Sequence, residues 1–489
     1  MSRALCAASF LATMALGGCA VGPDYHRPSA PVATSFKEAA GWTPSHPVDA
    51  IDRGAWWSMF NDPDLDALEA RVAASNQTVK QFEAAYRQAH EIVAQARAAF
   101  FPTLDAIAHA DRSKGSPVTT GSGLINGLGT GPTNFSGAPT ASRPSTAFEA
   151  ALEASWVPDL WGKVRRTVES DKALAQASGA DLANAKLSAQ ASLAQDYFQL
   201  RALDEQARLY SGAVASYQRL VKLTEDQVRE GTQPQSSVLT AQTQLYGAQA
   251  ALIAVGVMRA QMEHAIAVLV GTTPADLTIT AKSFSREVPT PPLNLASTLL
   301  ERRPDIAAAE RRMASGNALI GVAAASYFPT LTLSGDDGSA ASKLGKLFSA
   351  SSTLWSFGAD ATETLLDFGL RRAQVRAARA VYDEDVATYR QTVLSAFQGV
   401  EDELAALRIF QEEQDVLVLS EQAAQQTLDL DLDEFREGTI DYTTVIAAEA
   451  ILVSAKLSLL NVIEDRLNAS VLLVEDLGGG WSTADLPRG

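Results

Sequence analysis

Five histidines (His26, His46, His90, His109 and His264) and two cysteines (Cys6 and Cys19) hold most of the chain's capacity for metal or nucleophilic chemistry. They are scattered, with no two at metal-ligand spacing. There is no P-loop, no G-x-G-x-x-G, no H-E-x-x-H and no G-x-S-x-G. No catalytic residue, metal ligand or cofactor is predicted, and the reading is that of a non-enzyme. What remains is charge. The 489 residues carry 57 Asp and Glu against 40 Lys and Arg, a net charge of −17. Such a chain has no general attraction for phosphates, so nucleic acid is excluded as a partner. The acids that stand out fall into two groups. Asp105, Asp111, Glu149, Glu153, Asp336 and Asp360 lie in alternating segments, and together on one wet face they would favour cations. Asp429, Asp431, Asp433, Glu434, Glu437 and Asp441 crowd around the single base Arg436. In a constricted place these would repel one another unless a contact from Arg436 to a carboxylate held them.

The elements that must position these groups begin with an address. Residues 1–18 read as a secretory signal, with Arg3 as the positive end, Ala4 to Leu16 as the apolar run and Gly17-Gly18 before the cut. Cys6 leaves with it, so the mature chain keeps one cysteine and forms no internal disulfide. Leu16-Gly17-Gly18-Cys19 resembles the lipobox of bacterial lipoproteins. That resemblance implies acyl chains on Cys19, and Ala20 in the next position is compatible with the outer membrane. An ordinary signal with a chance cysteine is the alternative. Residues 19–60 then read as an acylated extended arm, rich in Pro and small residues from Val21 to Pro47.

The rest of the chain is a duplication. Arg229-Glu230-Gly231-Thr232 recurs 207 residues later as Arg436-Glu437-Gly438-Thr439, and Phe101-Pro102-Thr103-Leu104 recurs 227 later as Phe328-Pro329-Thr330-Leu331. The copies are assigned to 61–275 and 276–480, with 481–489 as a tail. Each copy opens with helical sequence, about Pro63 to Phe100 in the first and Pro304 to Tyr327 in the second. After Phe-Pro-Thr the period changes to two, and strands are predicted at about 101–113, 146–158, 328–337 and 352–362. Leu104, Ala106, Phe148, Leu152, Trp156, Leu331, Leu333, Trp355 and Phe357 mark the apolar face, and the six strand acids mark the opposite one. These lengths suit tilted strands crossing a bilayer, although a soluble sandwich also has one apolar face. Long helices follow: Gly162 to Gly231 is about 100 Å and Gly231 to Gly271 about 60 Å at roughly 1.5 Å per residue. Val238, Ala241, Leu245, Ala248 and Leu252 form an a/d seam that Val445, Ala448, Leu452, Ala455 and Leu459 repeat, and Leu193, Tyr197, Leu200 and Leu203 give the facing helix an apolar stripe. No apolar run of about eighteen residues follows the N-terminus, which argues against a polytopic helical membrane protein.

Spanning strands must close into a barrel, single-chain barrels start at eight strands, and this chain offers four. Three chains would supply twelve strands and twelve helical columns, with glycines at the strand-to-helix corners (Gly162 and Gly369) letting the chain turn. Cys19-Ala-Val-Gly-Pro-Asp-Tyr-His-Arg-Pro28, Trp56-Trp57-Ser-Met-Phe60-Asn-Asp-Pro63-Asp-Leu65, Leu300-Glu-Arg-Arg-Pro-Asp305 with Glu310, and Ser326-Tyr-Phe-Pro-Thr-Leu331 resemble the lipoprotein branch of the TolC-like outer-membrane efflux proteins. The resemblance implies a mainly α chain with a small membrane β-barrel contribution. It implies a homotrimer whose 12-stranded β-barrel, among outer-membrane lipids, continues into a 12-column α-helical tunnel in the periplasm. Its partners would be a periplasmic adaptor and a proton-driven inner-membrane pump, and its function the export of drugs and toxic compounds. It places a closed periplasmic tip at Gly231-Thr232 and Gly438-Thr439, with Arg436 nearby. Family channels often ring this aperture with aspartates on the returning helix; here Asp441 and Glu449 are the nearest substitutes. A type I secretion outlet, a periplasmic coiled-coil lipoprotein and a lipid-anchored hydrolase are the competing readings, and the last has no nucleophile constellation.

Overall fold

The computed structural model describes residues 20–31, 33, 35–38, 55–114, 144–289 and 302–486. Cys19, the signal segment and the glycine- and serine-rich connection at 115–143 lie outside the described residues. The chain forms two compact units. One comprises residues up to Asp24 with Ile92–Asp171 and Asn317–Ala380; the other comprises Tyr25–Glu91, Lys172–Gly316 and Val381–Gly489.

The described elements run α1 (Pro63–Ser75), α2 (Gln77–Ala98), β1 (Thr103–Ser113), β2 (Ser145–Trp156), α3 (Lys163–Arg229), α4 (Gln235–Leu269), α5 (Pro304–Ala325), β3 (Thr330–Ala341), β4 (Thr353–Thr362), α6 (Leu370–Glu437) and α7 (Tyr442–Asp476). The mainly helical duplication of helix, hairpin, long helix and helix is thus present. In the first unit the strands form one antiparallel sheet of order β1-β2-β3-β4. Their limits differ by a few residues from those predicted. β1 starts at Thr103 because Pro102 has no N–H for the ladder, and β2 stops at Trp156, two residues before Pro158. β3 continues past 337 to Ala341, where alternation fades but pairing with β2 persists as far as Phe148 opposite Ala341.

The helical sequence at 63–100 is two helices. Asp62 caps α1 by accepting from the backbone N–H groups of Asp64 and Leu65, with Pro63 in the first turn, and Tyr197 donates to its other oxygen at 2.6 Å. The break falls at Asn76, whose Oδ1 accepts from Val79 N at 3.0 Å. Its Nδ2 donates to Leu269 O at 2.8 Å, and Ser75 donates to Val270 O at 2.8 Å. The joint between α1 and α2 therefore supplies donors that the last turn of α4 lacks.

The second unit packs around several apolar clusters, of which two are the largest. One joins Trp56, Leu65 and Val72 with Leu193, Tyr197 and Leu200 of α3, Ile266 of α4 and Ile463 and Val471 of α7. The other joins Tyr217 and Leu220 of α3 with the seam residues Ala241, Leu245 and Ala248 of α4 and Tyr442, Val445, Ala448 and Leu452 of α7. Windows of α4 and α7 are also apolar enough on average to cross a bilayer, without being one continuous apolar run. In α7 the packing explains this composition, because Val445, Leu459, Leu467 and Leu473 are buried against the rest of the unit.

One buried group works against this core. Glu69 on α1 is fully buried, neither carboxylate oxygen has a hydrogen-bond partner, and burial next to Asp66 pushes its pKa up to about 9. The folded state keeps this proton while the unfolded chain releases it near pH 4.5. Its contribution to stability is therefore full below pH 4.5 and is lost progressively as pH rises toward 9. Glu69→Met, which removes the unpaired carboxyl and keeps the volume, should stabilise the protein by about 1–3 kcal/mol at pH 8. It should also flatten the fall in thermal midpoint between pH 5 and 9; equal slopes in the two proteins would refute this account of Glu69.

Candidate functional site

Two regions gather the residues singled out above. In the sheet, the register decides which side chains share a face. Asp105 is opposite Glu153, Glu153 is opposite Asp336, and Asp336 is opposite Ser356, whose hydroxyl donates to Asp336 Oδ2 at 2.6 Å. His109 is opposite Glu149, and Asp360 is opposite Thr332. Because directly opposed residues project to the same side and alternate residues project together, all six acids, Asp111 included, stand on one face. Three carboxylates in a single row are unusual for a sheet, where like charges directly opposite are destabilising unless water screens them. The other face carries Leu104, Leu152, Trp156, Leu333, Trp355 and Phe357 around a shallow apolar concavity. Two charges interrupt it. Asp337, opposite Leu152 and Trp355, lies within the apolar rows, and Arg112 lies at the far end of β1.

The second region is the pair of turns after the long helices, in the helical unit. Gly231 and Gly438 both have φ +76°, a left-handed conformation that lets each helix end in one residue. Thr232 N donates to Gln227 O at 3.0 Å and Thr439 N to Glu434 O at 3.0 Å. The threonine hydroxyls donate to the same two carbonyls at 3.0 and 2.9 Å. Gly-Thr at these positions is therefore a helix stop with a doubled cap, and its repetition reproduces the geometry atom for atom.

Arg436 meets a carboxylate, that of Asp433 on its own helix, at 2.6 Å with both side chains largely exposed. Arg229 and Asp226 make the same pair in the first copy. A pair within one helix turn cannot tie that helix to another, and exposed pairs of this kind contribute little to stability. Asp441 accepts from Thr443 N and caps α7, a role for which Pro234 offers no side-chain acceptor at the start of α4. Glu449 is half-buried beside Ser216 and Arg219 of α3, and burial raises its pKa.

Sequence reasoning missed the arm's anchoring. Tyr25 donates to Glu310, which also holds Arg311; Arg27 Nε donates to the Tyr389 hydroxyl at 3.0 Å. Lys37 N and Glu38 N donate to the two oxygens of Glu401 at 2.6 and 2.9 Å. Within the other unit, Val21 N donates to Trp161 O at 3.1 Å, and Ala20 lies against Gly162. The quoted motifs Gly-Pro-Asp-Tyr-His-Arg and Arg-Arg-Pro-Asp with Glu310 contain both sides of the Tyr25 contact, but nothing in their spacing pairs them.

Comparison with known proteins agrees with this architecture. The family described as outer membrane efflux protein matches residues 68–272 and 295–479. The solvent efflux pump outer membrane protein SrpC of Pseudomonas putida is 31% identical over 497 residues, covering 97% of this chain and 98% of its own. The probable outer membrane lipoprotein SilC of Salmonella typhimurium is 27% identical over 472 residues, covering 95% and 96%. The structure of the outer-membrane channel OprN superposes with a TM-score of 0.84 at 28% identity, covering 95% of this chain and all of that one. The chain belongs to the outer membrane efflux protein family.

Proposed function

We propose that this chain is the outer-membrane channel of a tripartite efflux pump, passing solvents, antibiotics or other toxic compounds from a periplasmic adaptor and a proton-driven inner-membrane pump to the exterior. The observation that carries the reading is the four-stranded sheet with acids on one face and an apolar, aromatic-rich other face. From Leu331 to Ala341 β3 extends about 33 Å, or roughly 25 Å after a barrel tilt of 35–45°, the height of a membrane band, with Asp337 and Ser339 interrupting the apolar row that Leu331 and Leu333 begin. Names given to relatives, a solvent efflux pump component and an outer-membrane lipoprotein, support the same reading.

Three copies would share one 12-stranded barrel, since four strands cannot close and hydrocarbon leaves no partner for an open edge. The long helices would continue it as a 12-column tube, ending at the turns of Gly231-Thr232 and Gly438-Thr439, where Asp441 and Glu449 lie close behind. Export needs no bond-making step, so the residues act as lining and gate. The repeats at 61–275 and 276–480 would each contribute one hairpin and one pair of tube helices. Cys19 would carry the acyl chains, and the position of Ala20 beside Gly162, six residues beyond the end of β2, supports an anchor held at the level where strands give way to helices.

In planar bilayers under a salt gradient the channel should be cation-selective, because Asp105, Asp111, Glu149, Glu153, Asp336 and Asp360 would line the lumen. Replacing the row Asp105, Glu153 and Asp336 by Asn, Gln and Asn should reduce that selectivity several-fold; an anion-selective wild type would refute the lumen assignment. Cys19→Ala should remove the acyl mass and leave the oligomer intact in membranes, and loss of oligomers would show that the strands depend on the lipid.

A further inference from the structure

Arg166, Arg303 and Arg371, at the ends of helices, each meet two carboxylates. The end of the sheet away from the helices is different. Ala110, Phe148 and Ala341 form the last row that crosses β1, β2 and β3. Beyond that row the described residues carry one acid, Asp111 on the opposite face, against Arg112, Lys114, Lys343 and Lys346. None of these four cations has a carboxylate partner among the described residues, in a chain whose net charge is −17.

Their placement follows from the register. Arg112 is two residues past Ala110 on the apolar face, and Lys343, still extended with φ −135° and ψ 131°, is two residues past Ala341. The two therefore leave the sheet at about one level, with backbones roughly 10 Å apart across two strand spacings. Asp337, the acid within the apolar rows, lies well below them. It is opposite Leu152 whereas Arg112 is opposite Thr146, a separation of roughly 20 Å along the strands.

The turn between β3 and β4 is firmly built. Lys346 N donates to Lys343 O at 2.9 Å and Leu347 N to Leu344 O at 3.1 Å. The Lys346 carbonyl accepts from Ser349 N at 3.1 Å and from the hydroxyls of Ser349 and Ser352 at 2.8 Å each. Leu347 is buried, yet the same scaffold leaves Leu344 65% and Phe348 85% exposed beside the two lysines. Ordering a turn costs conformational entropy, and in water nothing is gained by holding Phe348 outward. Large exposed apolar side chains rimmed by charge mark a surface that something else covers. Here they lie between Ala341 and Trp355, both on the apolar face, and cations among them call for an anionic cover.

We infer that this end of the sheet seats against phosphate-bearing lipid headgroups of the outer leaflet, with Leu344 and Phe348 entering the acyl boundary and Arg112, Lys343 and Lys346 holding phosphates. Lysine and arginine stems cover apolar surface while their charged ends reach the headgroup level, and bonds from such cations to phosphate are charge-assisted. The inference rests on the channel reading for its orientation: the strand ends joined to helices face the periplasm, so this end faces outward. The acids of the wet face are thereby kept from the anionic headgroups that the cations meet.

Full-length protein in neutral detergent, titrated with lipid A and weighed by native mass measurement, tests the phosphate contact. Lys343→Gln with Lys346→Gln should weaken retention of lipid A at least tenfold. Lys80→Gln with Lys222→Gln, at exposed positions of α2 and α3, should leave it unchanged. Wild-type retention in the first pair, equal loss in both pairs, or displacement of lipid A by inorganic phosphate would overturn the assignment. Phe348→Cys in a Cys19→Ala background, spin-labelled in phosphatidylcholine vesicles containing lipopolysaccharide, tests the apolar contact. Oxygen should reach the label several-fold more readily than an aqueous nickel complex does, and the reverse order would overturn the seating of the turn. Either failure in a protein that still conducts in planar bilayers leaves the channel reading standing, whereas a protein that enters no bilayer overturns both.

Discussion

The structure depends on backbone groups that water cannot satisfy. A sheet of four strands leaves the N–H and C=O groups of β1 and β4 open along its two edges. In water these would be a route to aggregation; in hydrocarbon each unpaired group costs several kcal/mol. The apolar rows around Trp355, Phe357 and Leu152 favour hydrocarbon, so the same strands that select the membrane cannot rest there unaccompanied. On the proposed channel reading, closure among copies would resolve the conflict. The helical unit also leaves large apolar side chains exposed, among them Tyr246, Val257, Ile409 and Leu419.

Electrostatics takes a different role in the two units. On the sheet, Asp105, Glu153 and Asp336 form a row with only Ser356 as a neutral donor at its end, an arrangement that water and mobile counterions must make tolerable. Around the turns, three of the acids are engaged locally: Asp433 with Arg436, Asp429 with Gln425, Asp441 with the first turn of α7. What shapes the turns is backbone chemistry, a left-handed glycine followed by a threonine whose hydroxyl and amide end the helix on one carbonyl.

Much of this was legible in the residues. The period-two segments, the offsets of 207 and 227 and the a/d seam specify four strands, two long helices and their mutual packing, and Val238, Ala241, Leu245 and Val445 are buried as the seam requires. Alternation also placed the six acids on one side, because a strand's side-chain direction is a strictly local property. Three features escaped because they are not local. The split at Asn76 depends on the end of α4, some 190 residues away, which Asn76 caps. Glu449 lies beside Ser216 and Arg219 of α3, more than 200 residues earlier in the chain. Glu310 draws its meaning from Tyr25, and no periodicity links an extended arm to the helix it crosses.

That arm bears on the order in which the molecule is completed. Its hydroxyl, guanidinium and amide contacts bridge sequence separations of 285, 362 and 364 residues. Closing loops of that length is entropically unfavourable until the intervening chain is already compact, and contacts of such high contact order form late. The arm at Tyr25 to Glu38 is therefore among the last segments to be fastened. Until α5 and α6 have docked, the leading segment is a loose strap, and its buckling onto Glu310, Tyr389 and Glu401 reports that the C-terminal half has reached its native arrangement.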